Sequence, residues 1–438
     1  MRPTTRQPLH WLRLLPYALG VCCVSGCASA PPVRLDQGQV QDPLRNLETY
    51  VLEDARKFKE LVEKSGALYG DPAFDAYLND LVRPFVPTVA SSGYQFSFKV
   101  VRDPTLNAYT LGDGTIYFNT GLIARLKSAQ QLAFVAGHEI AHVMNRDLVY
   151  YTDSLHKKTV GTKLTDLVVG PALSAFGLGG IGELGVGLAY AASVTGYGRE
   201  REATADAESL SAMQAQQYDE REALRVFETF LREDERYHRG LEISFLSSHP
   251  SNEARMAAVK KAMGSKALDV FAAEPEDRAF LDATHDLRVD NASFNIQLGR
   301  SYHAVEDLQI ILKKEPTDER AHYYLAEAYR LIAEDPRKLK DELSRKAWSE
   351  INDVADAEHT DYWHSRAAEE YRQAMKLDPA FPDPHRGLGL LQHARDERAQ
   401  ALASFQRYLE LSPDAKDRRF VTSYITRLQE PPAVPASD

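Results

Sequence analysis

The C-terminal part of the sequence repeats itself, and this repeat restricts what the chain can fold into more than any other feature. Small, aromatic and proline positions recur at a spacing of 34 residues: Ala367, Tyr371, Ala374 and Pro379 are followed by Ala401, Phe405, Tyr408 and Pro413. Apolar residues three or four positions apart are typical of helices with one buried face. Because such a repeat buries that face only against its neighbours, the sequence predicts stacked helical hairpins over residues 285–428.

The 34-residue period resembles that of the tetratricopeptide repeat, which implies an α-solenoid with a concave binding surface. An earlier copy of the template is formed by Ala304, Leu308, Ile311 and Pro316. Another copy begins at Leu325, Ala326 and Tyr329, and an insertion of about residues 331–362 interrupts it. Residues 429–438, which contain three prolines, are predicted to be a tail.

Composition places the chain among ordinary globular proteins of two or three domains. It has 438 residues, of which 44% are hydrophobic and 26% charged, and this excludes collagen-like, wholly disordered and multi-span membrane proteins. The net charge of −11 argues against a nucleic acid as partner and against a polybasic membrane patch.

All cysteines of the chain lie at its N-terminus, at Cys22, Cys23 and Cys27. A basic segment and the short apolar run Leu14 to Val24 precede Cys27, so residues 1–26 are interpreted as an export signal. The sequence Val24-Ser25-Gly26-Cys27 resembles the bacterial lipobox, which implies that Cys27 is acylated and becomes the new N-terminus. Residues 27–43 are then a tether, and the rest of the chain has no thiol for catalysis, a disulfide or metal binding.

The lipobox resemblance implies attachment to the periplasmic side of the outer membrane, because Ala28 follows the cysteine rather than aspartate. A cleaved signal with a soluble periplasmic protein is the alternative. An uncleaved anchor is less consistent with an apolar run that is roughly half the 20 residues a spanning helix needs.

The region between the tether and the repeats, residues 44–265, is predicted to be a mainly α domain with a small β-sheet. Helical periodicity covers residues 44–64 and 72–82, and helices are also predicted for 121–126, for 129–147 and from Arg199 to about 263. Alternation predicts strands over residues 94–100 and 115–119. The glycine-rich segment 167–198 fits a packed helical hairpin, a flap over a site or a hairpin that dips into a membrane.

An H-E-x-x-H motif, His138-Glu139-Ile140-Ala141-His142, lies within one of these predicted helices. Its spacing puts both imidazoles on one helical face, where they can bind one Zn²⁺, and Glu139 can take a proton from a metal-bound water. The surrounding residues are apolar on nearly all sides, which indicates a buried helix whose histidines need partners.

A catalytic zinc needs a third protein ligand and an open position. A later predicted helix carries several acids, and spacing alone leaves four candidates for this ligand: Glu200, Glu202, Asp206 and Glu208. A solvated charged face is the alternative interpretation of that helix.

Several motifs occur in the order seen in zinc peptidases of the HtpX and CAAX-prenyl-protease type. They are Asn107-Ala108-Tyr109, Gly114 to Ile123, the H-E-x-x-H motif, Arg199-x-x-Glu202-x-x-Ala205-Asp206 and Ser248-His249-Pro250 to Arg255. The resemblance covers about residues 45–260 and implies a gluzincin-like metallopeptidase domain. It implies His138, His142 and Glu202 as zinc ligands, Glu139 as general base, and Asp206 and Arg199 behind the ligands.

The resemblance also places His249 on a loop near the zinc. There His249 would either occupy the fourth metal position or bind the oxyanion, and Arg255 is another candidate for these roles. The structural alternative is that His249 only caps the turn before the helix that contains Arg255. The strand Thr115, Ile116, Tyr117, Phe118 and Asn119 is interpreted as a sheet edge onto which an extended substrate adds.

With its repeats, the chain resembles the BepA-type periplasmic proteases and chaperones. This implies a zinc endopeptidase for misfolded or misassembled outer-membrane proteins, whose repeats recruit substrate or assembly machinery. A chaperone or assembly factor with little proteolysis is the alternative, and a repeat protein with a vestigial zinc site is a third.

Overall fold

The computed structural model describes residues 33–87, 94–158, 197–237, 252–264, 276–355 and 359–430. Several sequence predictions concern residues outside the described ranges. These are the predicted signal segment, Cys27, His249, nearly all of the glycine-rich segment and residues 431–438 of the predicted tail. None of the described helices is both long enough and apolar enough to cross a membrane.

The described residues form α-helices joined to one small β-sheet, which confirms the predicted fold class. The strands are β1 Ser97–Val101, β2 Ala108–Thr110 and β3 Thr115–Asn119. The helices before the repeats are α1 Leu44–Ser65, α2 Pro72–Val82, α3 Thr120–Arg125, α4 Ala129–Met144, α5 Asp147–Lys158, α6 Arg199–Ala215, α7 Arg221–Arg236, α8 Asn252–Met263 and α9 Arg278–Ala283. The helices that follow are α10 His285–Gln297, α11 Ser301–Lys314, α12 Glu319–Glu334, α13 Leu339–Glu342, α14 Arg345–Ala355, α15 Thr360–Leu377, α16 Asp383–Ala394, α17 Arg398–Leu411 and α18 Arg418–Gln429.

Local signals set the starts of two helices as the sequence predicts. The Asp71 carboxylate accepts hydrogen bonds from the first turn of α2, and Pro72 occupies its first position. The Ser128 hydroxyl accepts a hydrogen bond from the Gln131 N–H at the start of α4. Helix α4 ends three residues earlier than predicted, because Arg146 adopts a left-handed backbone with φ of 52° and turns the chain into α5.

The sheet corrects the interpretation of residues Thr115, Ile116, Tyr117, Phe118 and Asn119 as an edge strand. Strand β3 is central: it pairs parallel with β1 on one side and antiparallel with β2 on the other. All five of its residues are buried. Because both rows of its backbone hydrogen-bonding groups face neighbouring strands, β3 cannot receive an added substrate strand.

Helix α4 is buried on nearly all sides and packs between the sheet, α6 and α7. Helix α6 approaches it closely because position 137 is glycine: a Cβ there would lie 2.6 Å from the Ser209 hydroxyl. That hydroxyl donates a 2.6 Å hydrogen bond to the Phe134 carbonyl. The close contact fixes the carboxylates of α6 beside the histidines of α4.

The repeats form the predicted helical hairpins: α10 with α11, α12 with α15, and α16 with α17. The recurring small and aromatic positions are buried, among them Tyr371 and Phe405. Glycines at 387 and 389 leave room for these rings, since a Cβ would lie 2.4 Å from Tyr371 and 2.7 Å from Phe405. The insertion predicted within the second copy contains the short helices α13 and α14.

Helix α10 joins the apolar core around α4 to the core of the repeats. Its Leu287 belongs to the first core and its Val289 to the second. Arg125 at the end of α3 adds ion pairs to Glu233 of α7 and Asp307 of α11. The first predicted repeat is therefore packed directly against the preceding domain.

Residues 33–40, here named the N-terminal strap, lie within the predicted tether but are docked on the domain. Leu35 and Val40 are almost fully buried. The Arg146 guanidinium donates hydrogen bonds of 2.7 Å to the carbonyls of Val33 and Gly38. This part of the chain is therefore held against the turn that follows α4, and the prediction of a free tether does not apply to it.

Candidate metal centre

Helix α4 places His138 and His142 one turn apart on the same face, as the H-E-x-x-H spacing predicts. Both side chains are fully buried, and their Nε2 atoms lie 3.0 Å apart. Two nitrogens bound to one tetrahedral zinc lie about 3.3 Å apart, given Zn–N bonds of about 2.0–2.1 Å. The two imidazoles therefore stand close to the arrangement that a shared metal ion requires.

Glu202 of α6 completes the cluster, which decides between the acids that spacing left open. Its carboxylate oxygens lie 3.4 Å from His138 Nε2 and 3.7 Å from His142 Nε2. One potential ligand atom from each of the three residues lies within 4.8 Å of the others. Glu200 is exposed, and Glu208 pairs with Arg34 of the strap, so neither reaches the histidines.

Asp206 stands behind His138, one turn after Glu202. Its Oδ1 lies 3.0 Å from His138 Nδ1, and its two oxygens accept hydrogen bonds of 2.6 and 2.8 Å from the Arg255 guanidinium. Burial acts to raise the pKa of Asp206, but Arg255 and His138 hold that pKa well below its ordinary range. Asp206 is therefore an ionised carboxylate that orients the His138 ring.

Asp147 orients the His142 ring as Asp206 orients that of His138, and no sequence pattern predicted this role. Its Oδ2 lies 2.7 Å from His142 Nδ1, and its other oxygen pairs with Arg201. Asp147 opens α5, after the left-handed turn at Arg146, so no helical spacing relates it to the motif.

These two carboxylates orient both imidazoles. Each aspartate lies at the Nδ1 of its histidine, so each Nε2 is on the side of Glu202, where its lone pair can bind a metal once its proton has left. Burial and Arg255 act to lower the pKa of His138, yet hydrogen bonds to Asp206 and Glu202 raise it to about 9. Surroundings that hold a proton so strongly favour positive charge and therefore suit a metal cation. In addition, two imidazoles and one carboxylate match the ligand set of a catalytic zinc.

Glu139 lies next to the cluster with 1% of its surface exposed. Burial raises the pKa of its carboxyl to about 7, although the neighbouring histidines oppose the shift. A general base is most effective when its pKa lies near the working pH. The position and the environment of Glu139 therefore both suit it to accept a proton.

Two arginines differ from their predicted roles. Arg199 is exposed at the first residue of α6, so it does not stand behind the ligands. Arg255 of α8 takes that place, and its guanidinium is directed at Asp206 rather than at an open metal position or an oxyanion. A guanidinium has no lone pair to offer a metal, and here it fixes the carboxylate behind His138.

Comparison with known proteins agrees with this geometry. Residues 72–263 match the model of peptidase family M48, and this range contains every residue of the cluster. This segment is a peptidase family M48 domain. The M48 domain includes Glu139, Asp147, Asp206 and Arg255, so the site lies entirely within the matched region.

Curated relatives are also similar to this chain over part of its length. A Vibrio cholerae protein named as a putative beta-barrel assembly-enhancing protease is 25% identical over 248 residues, which is 56% of this chain and 50% of the relative. The mitochondrial metalloendopeptidase OMA1 of Schizosaccharomyces pombe is 24% identical over 47% of this chain and 58% of the relative. The Escherichia coli beta-barrel assembly-enhancing protease is 31% identical over 84 residues, 19% of this chain and 17% of the relative. The matches therefore cover at most 58% of the length of any of these relatives.

Among solved structures, a tetratricopeptide-repeat protein of Thermus thermophilus aligns with a TM-score of 0.26 and 20% identity. The alignment covers 40% of this chain and 79% of that protein.

Asp147 provides a test of how the site is built. We expect Asp147→Asn to weaken zinc binding by about 10- to 100-fold. The substitution removes the negative charge that orients the His142 ring and makes its Nε2 a stronger metal ligand. Competition with a chromophoric chelator measures the affinity. Asp153→Asn is the matched control, since Asp153 lies on the same helix and pairs with the exposed Lys157. Equal zinc affinity in wild type and Asp147→Asn would show that Asp147 has no such role.

Proposed function

We propose that this protein is a zinc-dependent endopeptidase that cleaves misfolded or misassembled envelope proteins. The observation that carries the proposal is the convergence of His138, His142 and Glu202 beside a buried Glu139. The M48 domain supports the reaction class.

The residues of the site have different roles in peptide hydrolysis. Zinc held by the three ligands would supply a Lewis acid that polarises the scissile carbonyl and lowers the pKa of the attacking water. Glu139 accepts a proton from that water and passes it to the nitrogen of the leaving amine. Asp206 and Asp147 hold the two imidazoles in the tautomer that leaves Nε2 free to bind the metal.

The proposed substrates and location depend on other parts of the chain. Two of the relatives are named as beta-barrel assembly-enhancing proteases, which supports a role in outer-membrane protein assembly. The repeats, with their own apolar core, would recruit substrate or assembly machinery. The lipobox-like sequence at Cys27 supports attachment to the periplasmic side of the outer membrane by lipid.

Metal removal tests the reaction class. We expect a chelator to abolish cleavage of an unfolded protein, and stoichiometric zinc to restore it, because the proposed attacking water is activated only on the metal. Gel assays of wild type, chelated protein and reconstituted protein measure this. Undiminished cleavage by protein that retains no metal would contradict the proposal.

The anchor is tested separately. Cys27→Ala is expected to remove the protein from the membrane fraction or to block its processing, since the thiol is the proposed site of acylation. Fractionation and electrophoretic mobility provide the measurement, with Cys22→Ala as control. Unchanged membrane association and mobility of the Cys27→Ala protein would contradict lipid attachment.

An assembly factor with little proteolysis is the second candidate. It is favoured by the share of the chain devoted to repeats, since the buried apolar residues of α11 to α18 belong to two clusters other than the core around α4. The two candidates differ in whether Glu139 is needed in cells, so a Glu139→Gln variant separates them.

A further inference from the structure

A tyrosine outside the set of predicted site residues stands at the edge of the metal centre. Tyr197 lies two residues before the start of α6, and only 6% of its surface is exposed. Its ring lies 4.4 Å from the His142 imidazole, between centroids, with the planes tilted by 44°. On another side it meets Tyr151 edge-on at 6.2 Å. The ring is therefore held firmly against a predicted zinc ligand.

The hydroxyl of this ring is buried and, within the described part of the chain, has no hydrogen-bond partner. Buried tyrosine hydroxyls usually have a hydrogen-bond partner, because burying a polar group without one is unfavourable. This hydroxyl is held in a fixed orientation beside the proposed active site. Its lack of a partner among the described residues indicates that the substrate supplies the hydrogen-bond acceptor.

The chemistry of the phenol limits the role this hydroxyl can have. A tyrosine hydroxyl ordinarily keeps its proton at neutral pH, because its pKa is about 10. Tyr197 can therefore donate a hydrogen bond but not act as a base.

We propose that Tyr197 is a catalytic residue whose hydroxyl donates a hydrogen bond to the scissile carbonyl oxygen as that oxygen becomes negative. This inference rests on the proposed peptidase function. The phenol keeps its proton throughout, while Glu139 carries the proton that moves from water to the leaving amine. A donor fixed in advance in a dry site stabilises the developing charge more than the ground-state carbonyl.

The test compares Tyr197→Phe with wild type, because phenylalanine retains the packing against His142 and removes only the hydroxyl. We expect kcat on an unfolded protein substrate to fall by about 10²-fold, the effect of losing one oxyanion donor, with KM changed by less than about threefold. A phosphinic peptide built on a mapped cleavage site, which imitates the tetrahedral oxyanion, should bind more weakly by about the same factor.

Two readouts do not depend on turnover. Zinc affinity should be unchanged, and the melting temperature of metal-free Tyr197→Phe should equal or exceed that of wild type, since the variant loses a hydroxyl that lacks a partner among the described residues. Tyr151→Phe is the control: it removes a neighbouring hydroxyl and should retain wild-type kcat.

Wild-type kcat in Tyr197→Phe would overturn the proposal. A loss of kcat accompanied by weaker zinc binding or a lower melting temperature would also overturn it, because Tyr197 would then have a structural role. Failure of the proposed peptidase function is distinguishable, since zinc-loaded wild type would then not cleave the substrate, or would cleave it no faster than Glu139→Gln.

Discussion

Replacing Glu139 by glutamine is expected to reduce cleavage of unfolded protein by about 10²- to 10⁴-fold, the contribution that general acid–base catalysis makes. The amide has nearly the same shape but cannot accept the proton from water. Zinc should stay bound, because His138, His142 and Glu202 are unchanged. Initial cleavage rates and metal content measure the two effects, and Glu200→Gln, an exposed acid on α6, is the control.

The same variant separates the two proposed functions in cells. A protease predicts that Glu139→Gln fails to replace the wild-type gene, whereas an assembly factor with little proteolysis predicts full complementation. Equal cleavage in vitro by wild type and Glu139→Gln, both zinc-loaded, would contradict the proposed mechanism.

The largest expected loss of stability follows from removing the Arg255 guanidinium. Arg255 is 4% exposed, and its hydrogen bonds to Asp206 neutralise a carboxylate that is equally buried. Arg255→Met fills a similar volume but leaves Asp206 as a buried charge without its guanidinium partner, and breaking such a pair costs about 3–5 kcal/mol. Urea-induced unfolding followed by circular dichroism measures the change in the free energy of unfolding.

Two further variants show whether the loss is specific to this pair. Lys261→Met removes an exposed positive charge from the same helix and should change stability by less than about 0.5 kcal/mol. Arg255→Lys keeps the charge but not the two parallel hydrogen bonds, and we expect an intermediate loss. If Arg255→Met were as stable as Lys261→Met, the buried ion pair would not support the site.

Local sequence signals predicted the elements well where the cause is itself local. Helices α2 and α4 begin at the predicted residues, and the structure shows that their caps at Asp71 and Ser128 involve only a few neighbouring residues. His138 and His142 share a face because helical geometry alone determines it. The third ligand needed the family resemblance, since Glu200, Glu202, Asp206 and Glu208 are equivalent by spacing.

Features that depend on distant parts of the chain could not be predicted in this way. Strand β3 has the correct bounds, but its central place depends on β2, a strand of three residues that is too short to show alternation. Asp147 reaches His142 only because of the backbone turn at Arg146. Arg255 comes from a helix that begins more than a hundred residues after α4 ends, and only packing shows that it, rather than Arg199, stands behind the ligands.

The N-terminal strap makes the order of chain synthesis matter for this domain. Arg34 donates a hydrogen bond to Asn145, 111 residues later, and pairs with Glu208, 174 residues later. The first described residues therefore cannot reach their final contacts until α6 has been synthesised and folded against α4. Contacts between such distant residues form slowly because a long loop must close first. The strap is thus synthesised early but docks late, after the helix that delivers Glu202.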